Sequence, residues 1–141
     1  MILLDTNVLS ELMKPTPEVN VVRWMDDQLV NTLYISAITR AEIELGIALL
    51  PNGQRKQQIA FAAQQMFDQF LGRCLVFGEM AAVQYGQLVA ARTRNGRPIT
   101  VEDAQIAAIA LAGGLRLATR NEKDFTGISG LIVVNPWMMG Q

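Results

Sequence analysis

Four acidic residues stand where a charge exposed on the surface is not expected. Asp5 directly follows the apolar run Ile2–Leu4, and Asp124 follows the apolar segment LRLAT within the stretch TRNEKDF. Glu42 lies on a helical stripe with apolar neighbours, and Asp103 shares a face of an Ala-rich helix with apolar residues. The residues of the Glu42 stripe are Ile38, Glu42, Leu45 and Leu49.

Each of these acids also has a purely structural interpretation. Asp5 can cap the helix that follows it, and Asp124 can be an ordinary loop residue. The pairs Thr39–Glu42 and Thr100–Asp103 have the spacing of a capping box. These interpretations do not explain why the acids occur in combination. The strand ends and the first helical turns of a parallel α/β sheet can meet at one edge, where four carboxylates repel one another unless a cation neutralises them.

The residue types at this predicted site select both the metal and the chemistry. The chain has no histidine and one cysteine, which excludes imidazole general bases, Ser-His-Asp centres and His-ligated or Cys-cluster zinc sites. Oxygen ligands alone suit Mg²⁺, with Mn²⁺ as the second choice, and we expect Asp5 and Asp103 to contact the ion directly. A magnesium ion whose shell is completed by substrate phosphate predicts hydrolysis of phosphodiester bonds.

The order of the predicted elements defines the fold class. Apolar runs alternate with helical patterns, which predicts an α/β sandwich with a central parallel sheet and helices on both faces. Two consecutive long helices around Pro51 predict a helical hairpin, and we expect one domain over residues 1–141. Strands are predicted at Ile2–Leu4, Leu33–Ser36, Cys74–Phe77 and within LRLAT and LIVVN; helices are predicted at about 7–15, 17–28, 38–50, 54–70, 80–95 and 100–114.

Composition constrains the environment and the partners. Half of the residues are hydrophobic and the formal net charge is −1, which favours self-association and argues against a large nonspecific nucleic-acid footprint. No segment predicts a signal peptide or membrane span, so we expect a cytoplasmic protein.

Cys74 is expected to be a small core residue, and Trp24 and Trp137 are expected to anchor the core or an interface rather than to stack on bases.

Four motifs together resemble one protein family. They are LLDTN, the glutamate of SAITRAEIELG, the block RPITVEDAQIAAIA and the segment TRNEKDF. In this order and spacing they are similar to those of the PIN-domain nucleases, in particular the VapC/FitB-type toxins of bacterial type II toxin–antitoxin modules, and NPW near the C-terminus is also similar to the FitB-type members. The resemblance covers essentially the whole chain. It implies a PIN-like three-layer α/β/α sandwich with a protruding helical hairpin.

The resemblance also implies roles for individual residues. Asp5, Glu42 and Asp103 would form the acidic core, and TRNEKDF would supply the fourth acid. Family members carry that acid at the place of either Asn121 or Asp124, and we rank Asp124 first with Asn121 as a nearby polar contact. The residues implied to support the acids or to contact substrate are Thr6, Asn7 and Thr119.

The activity implied is that of an Mg²⁺-dependent endoribonuclease. The resemblance further implies a homodimer held inactive by a small antitoxin that also binds operator DNA. Three arginines precede Asp103, namely Arg92, Arg94 and Arg97. They either contact RNA phosphates or belong to a solvated helix C-terminus, where cations are favoured. A phosphatase or receiver is disfavoured because Asn7 replaces a second aspartate and the last strand ends in VVNP rather than lysine. The main alternative is a PIN-like module that binds RNA or a partner without cutting.

Overall fold

The computed structural model describes residues 1–138, and the expected domain 1–141 therefore includes residues 139–141, which lie outside the described part. The strands are β1 (Ile2–Leu4), β2 (Leu33–Ser36), β3 (Cys74–Leu75), β4 (Arg116–Ala118) and β5 (Val133–Val134). The helices are α1 (Thr6–Leu12), α2 (Val19–Asp26), α3 (Ala37–Ala48), α4 (Gln54–Asp68), α5 (Glu79–Arg94), α6 (Val101–Gly113) and α7 (Glu122–Phe125), with a 3-10 turn at Val30–Thr32.

The five strands form one parallel sheet in the order β3-β2-β1-β4-β5. The first strand is central: Leu3 is paired with Tyr34 of β2 on one side and with Leu117 of β4 on the other. The chain leaves β1 toward β2 and β3 and later returns to its other side with β4 and β5. The strand order thus reverses between β1 and β4, and ligands of open parallel sheets bind at the carboxyl ends of strands at such a point.

Alternation along β1 assigns its side chains to the two faces of the sheet. Ile2 and Leu4 pack in an apolar cluster with residues of α1, α2, α3 and α4, whereas Leu3 packs in a second cluster with residues of α5 and α6. Helices therefore cover both faces, which confirms the predicted three-layer α/β/α architecture. Helices α3 and α4 contact each other. No helix within residues 1–138 combines the length and apolarity needed to cross a membrane.

Helix α6 lies inside the second cluster, as its nearly continuous apolar surface predicts. Its residues Ile106 and Ala107 to Ala110 are all buried. Thr100 caps its first turn, because the Thr100 hydroxyl accepts a hydrogen bond from the Asp103 N–H at 3.2 Å. Gly114 ends the helix at φ +66°, a left-handed conformation that costs glycine little. The start of α6 is therefore fixed, and with it the position of Asp103.

Three local expectations are wrong. The α3 stripe does not face the core: Leu45 and Leu49 are 60% and 75% exposed, because α3 packs inward through Thr39 and Ile43. Thr39 is not a helix cap either, since Ser36 caps α3 and accepts a hydrogen bond from the Thr39 N–H at 3.0 Å. The third error concerns the cysteine. Cys74 is exposed because it lies on β3, the edge strand of the sheet.

The two tryptophans behave as structural anchors. Trp24 is buried in the cluster beneath α1 to α4, and Trp137 packs partly buried against the same cluster. The Trp137 carbonyl accepts a hydrogen bond from the Asn20 side chain at 3.0 Å. The backbone N–H of Trp137 donates to the Asn135 side chain at 3.0 Å. The predicted role as a core anchor is confirmed for Trp24, whereas Trp137 is only partly buried and also lines an open cavity with Asp5 and Asp103.

Candidate active site

Asp5 occupies the point where the sheet reverses its strand order. It directly follows β1, and its N–H donates to the Ala118 carbonyl, the last residue of β4, at 2.9 Å. Only 4% of Asp5 is exposed. Its main chain is therefore locked between the two central strands, and its side chain is held at the carboxyl edge of the sheet.

Three donors hold the Asp5 carboxylate. The Thr6 N–H donates to Oδ1 at 2.8 Å, which makes Asp5 the N-cap of α1, and the Thr119 hydroxyl donates to Oδ2 at 2.7 Å. The Asn7 amide lies 3.4 Å from Oδ2. Burial raises the pKa of Asp5 above its ordinary value, and the hydrogen bonds from Thr119 and Thr6 oppose that rise only in part. Capping and a place in the acidic cluster are thus compatible roles for one carboxylate.

Thr119 and Asn7 form a support behind Asp5. Thr119 is fully buried, and its hydroxyl oxygen accepts hydrogen bonds from the Asn7 amide at 3.2 Å and the Asn121 N–H at 3.1 Å. The Asn7 side chain also accepts from the Arg120 N–H at 3.2 Å. Because Thr119 has no exposed surface, it supports Asp5 and does not reach a substrate phosphate.

Glu42 reaches the site through Thr6. The Thr6 hydroxyl donates to Glu42 Oε1 at 2.8 Å and lies 3.0 Å from the buried Thr39 hydroxyl. Glu42 belongs to the second turn of α3, so its expected place in the first turn of that helix is wrong. Partial burial raises the pKa of Glu42, the Thr6 bond lowers it, and the nearby charge of Asp103 raises it further.

Asp103 faces the same space from the first turn of α6. Partial burial is the largest cause of the raised pKa of Asp103, and the negative charge of Asp5 is the next. Asp5, Glu42 and Asp103 line one open cavity of about 400 Å³, hereafter the main cavity. The structure therefore brings together three of the four predicted acids, and their charges disfavour one another's ionisation.

The cavities that Asn121 and Asp124 line do not decide which of the two residues holds the fourth site position. Asn121 lines the main cavity, whereas Asp124 lines a second cavity of about 320 Å³ together with Asp103 and the predicted substrate contact Arg97. The charge of Asp124 nevertheless raises the pKa of both Asp5 and Asp103. Asp124 as the fourth acid, with Asn121 as a neighbouring contact, stays a prediction.

Five residues of the main-cavity wall were not predicted to lie at the site. Glu11 is the most informative: it is buried, pairs with Lys14 at 2.9 Å and accepts from the Glu18 N–H at 3.0 Å. The Lys14 bond lowers the pKa of Glu11. Glu–Lys spacing of three residues in a helix was the available signal for this pair, but it is a common surface pattern. The five residues are Ser10, Glu11, Lys14, Arg120 and Trp137.

The donor set of the main cavity fits a hard divalent cation. Every candidate ligand is an oxygen atom, and a positive charge would favour the ionised forms of Asp5, Glu42 and Asp103, whose pKa values are raised first by burial and then by their mutual repulsion. Within residues 1–138 no three acidic or thiol side chains converge closely enough to enclose an ion by themselves. That arrangement suits Mg²⁺, which takes one or two carboxylates and keeps several waters.

Comparison with known proteins agrees with this geometry. The PIN domain family model matches residues 2–131. The VapC ribonuclease Y4jK of Sinorhizobium fredii is 41% identical over 138 residues, covering 97% of this chain and 98% of its own length. Toxin FitB of Neisseria gonorrhoeae is also 41% identical over 138 residues, covering 97% and 99%. The solved structure of FitAB bound to the IR36 DNA fragment superimposes with a TM-score of 0.90 at 39% identity, covering 100% of this chain and 99% of that one.

A five-stranded parallel sheet with acids at its strand-order reversal, matched over nearly the whole length, defines a PIN-domain nuclease fold. The chain belongs to the PIN-domain family, among the VapC/FitB-type toxins of toxin–antitoxin modules. The family consists of nucleases that are generally metal-dependent.

Proposed function

We propose that this chain is the ribonuclease toxin of a toxin–antitoxin module, and that it hydrolyses RNA phosphodiester bonds with Mg²⁺. The observation that carries the proposal is the convergence of Asp5, Glu42 and Asp103 on the main cavity, at the reversal point of the sheet. The relatives named ribonuclease and toxin support it, since each matches almost the full length of the chain.

Asp5 and Asp103 are the residues that would hold the ion, because they approach the cavity from a strand end and a helix start. When bound, Mg²⁺ would acidify an attacking water and neutralise charge that develops on the phosphate. Thr119 and Thr6 keep Asp5 oriented and oppose its protonation. Glu42, the most exposed of the three acids, would accept a proton from the attacking water, because a carboxylate on the open side of the cavity is accessible to that water.

The partners of the proposed toxin are a second copy of the chain and a small antitoxin. The large apolar side chains exposed on α3 and α5 support an association, because their burial against a partner would remove apolar surface from water. FitAB has been solved in complex with DNA, which supports an antitoxin that also contacts operator DNA. A cytoplasmic location follows from this role. The exposed apolar residues on these helices are Leu45, Leu49, Met80 and Val83.

The test is cleavage of a mixed, structured RNA pool after any co-purified small protein has been removed. Wild-type protein and the Asp5→Asn variant are incubated with Mg²⁺, Mn²⁺ or EDTA. Asp→Asn preserves size but removes the charge, so we expect cleavage to require a divalent ion and to fall by about 10²-fold or more in the variant.

A second pair of variants separates the site from general surface charge. Glu42→Gln should lower cleavage by about 10²-fold. Glu44→Gln, which removes an exposed carboxylate two residues away that lies 3.9 Å from Arg40, should change it less than twofold. If wild-type protein cuts no RNA with either ion, the nuclease proposal fails and a non-catalytic RNA- or partner-binding module takes its place.

A further inference from the structure

The second cavity adjoins the main cavity through Asp103, which lines both. Its wall carries three cationic side chains, from Arg92 at the end of α5, Arg97 in the loop that follows, and Lys123 on α7. Asp103 and Asp124 supply its only acidic side chains among residues 1–138. Neither aspartate forms an ion pair with these cations in that part of the chain, so the positive charges are not consumed by a salt bridge.

Arg92 is the most unusual member of this wall. It is only 7% exposed, which excludes the solvated helix terminus considered from the sequence. Its guanidinium donates to the Asp124 carbonyl at 2.6 Å, the Thr126 carbonyl at 3.2 Å and the Arg97 carbonyl at 3.4 Å, and its Nε is buried without a hydrogen-bond partner among residues 1–138. A buried cation normally has an anionic partner, because an uncompensated buried charge is costly. Backbone carbonyls satisfy part of the hydrogen bonding of Arg92 but do not neutralise it.

Arg97 adds a second guanidinium at close range. Its Nη1 lies 3.0 Å from the point where a side chain at Gly127 would begin, and Gly127 has φ +83°. The absence of a Cβ at Gly127 therefore lets Arg97 lie against the loop that Arg92 also binds. Burial, and then the neighbouring positive charge of Arg97, lower the pKa of Arg92, and the negative charge of Asp124 opposes them only in part. Three cationic and two acidic side chains share this wall, and the excess of positive charge suits an anion.

We infer that the second cavity is an anion subsite that holds an RNA phosphate adjacent to the one cleaved at Asp5 and Asp103. This inference rests on the proposed ribonuclease function and deepens it. Guanidinium groups bind phosphate oxygens in a planar, paired geometry, and Lys123 supplies a further point charge. The backbone of the substrate would run from the main cavity past Asp103 into the second cavity. A phosphate bound there would add negative charge beside Arg92, where burial and the charge of Arg97 outweigh the charge of Asp124.

The experiment measures RNA binding separately from cleavage. Fluorescence anisotropy follows a labelled, mixed-sequence single-stranded RNA on Asp5→Asn protein, and then on the same protein carrying Arg97→Gln and Lys123→Gln. Arg92 is left unchanged because it joins α5 to the loop at Thr126. The control carries Arg23→Gln and Arg116→Gln, two exposed arginines that do not line either cavity. Both double variants remove two positive charges from a chain of formal net charge −1.

We expect the Arg97/Lys123 pair of changes to raise the dissociation constant about tenfold more than the control does. The slope of log affinity against log salt should become shallower by about 0.7, since the subsite holds one phosphate and each lost phosphate contact on a single strand contributes about that amount. In proteins with Asp5 intact, KM should rise while kcat changes less than about twofold, because the subsite binds ground state and transition state alike.

Two outcomes overturn the subsite. One is RNA binding that responds equally to both double variants, in strength and in salt slope; the other is no measurable RNA binding by the Asp5→Asn protein. Cleavage by wild-type protein is scored independently of both. A protein that cuts RNA but shows equal effects of the two double variants retains the proposed function and loses the subsite. A protein that binds RNA through Arg97 and Lys123 but never cuts it retains the subsite and loses the nuclease.

Discussion

The strand side and the helix side of the main cavity are built differently. On the strand side, Asp5 is buried, locked by its main chain to β4 and held by the buried Thr119. On the helix side, Glu42 is exposed and is held by a single hydroxyl, and Asp103 is half-buried at a helix start. The strand side is therefore preorganised before any ligand arrives. The helix side has freedom to adjust, and its acids are held near one another despite their repulsion.

The largest expected effect on activity comes from removing the charge of Asp103, the helix-side acid that lines both cavities. Asp103→Asn should lower kcat by about 10²-fold or more, because a neutral amide cannot replace the charge that would hold the ion. Glu102→Gln removes the neighbouring carboxylate of the same helix turn and should cost less than about threefold. The measurement is initial cleavage rate at saturating Mg²⁺. Equal losses in the two variants would show that only the total charge of the turn matters.

The strand side is tested by Thr119→Val, which removes a hydroxyl at nearly constant shape. Loss of a hydrogen bond to a charged group should lower activity roughly tenfold. The Thr119 bond lowers the pKa of Asp5, so its removal raises that pKa further, and activity that needs ionised Asp5 is lost at a higher pH. A pH–rate profile should show the acid limb displaced toward alkaline pH.

Thr39→Val provides the matched control for Thr119→Val, since Thr39 is equally buried but contacts Thr6 rather than Asp5. The acid limb of the Thr39→Val pH–rate profile should stay at its wild-type position. An unshifted limb in Thr119→Val would mean that the hydroxyl does not control Asp5 protonation.

The fourth acid gives a smaller expected effect. Asp124→Asn should lower kcat roughly fivefold, because its charge reaches Asp5 and Asp103 although it lies in the second cavity. Asp27→Asn, at an exposed helix end remote from both cavities, is the control. The same kcat measurement on Asn121→Ala tests the alternative residue for the fourth site position. A larger loss in Asn121→Ala than in Asp124→Asn would reverse their ranking.

The smallest expected effect concerns stability. The folded pKa values of Asp5, Glu42 and Asp103 are raised, so their stabilising contribution is complete below the unfolded pKa, near 4, and is lost as pH rises through the folded pKa. A divalent ion should therefore stabilise the protein more at neutral than at acidic pH. At an Mg²⁺ concentration ten times its Kd the gain is about 1.4 kcal/mol, or roughly 5 °C in Tm.

Thermal unfolding with and without Mg²⁺ at two pH values checks this expectation. Glu11 responds in the opposite direction, because its pKa is lowered and its contribution disappears as pH falls. The Asp5→Asn variant should lose most of the Mg²⁺ response. If Mg²⁺ raised Tm by the same amount at both pH values, ion binding would not depend on the ionisation of the three acids, which contradicts this expectation.

The strand side was also the more predictable from sequence. A short apolar run ending in Asp5 defines both a buried strand and the edge where it ends. The helix side was predicted for an incorrect reason. Glu42 was selected because Leu45 and Leu49 looked like core, whereas both are exposed. The acid is at the site because Thr6 binds it, a contact across 36 residues that helical periodicity cannot show.

Other parts of the site depended on tertiary structure that local pattern does not contain. Cys74 is exposed because β3 ends the sheet, and strand order is a property of the whole chain. Arg92 was assigned to solvent or to RNA, but two of its three carbonyl partners lie more than 30 residues away along the chain. The choice between Asn121 and Asp124 depended on the resemblance to a family, since a short helix such as α7 offers no periodicity to orient its side chains.

The central position of the first strand also has a consequence for biosynthesis. Residues Ile2–Leu4 are translated before their partner β4, which follows them by more than 110 residues. Asp103 and Thr119 also lie far beyond β1 along the chain. A nascent or prematurely terminated chain that lacks β4 therefore cannot assemble the acidic pocket, because Asp5 is held by Ala118 and Thr119 and closing so distant a contact requires both segments. Translation itself delays the moment at which a potentially harmful nuclease becomes competent.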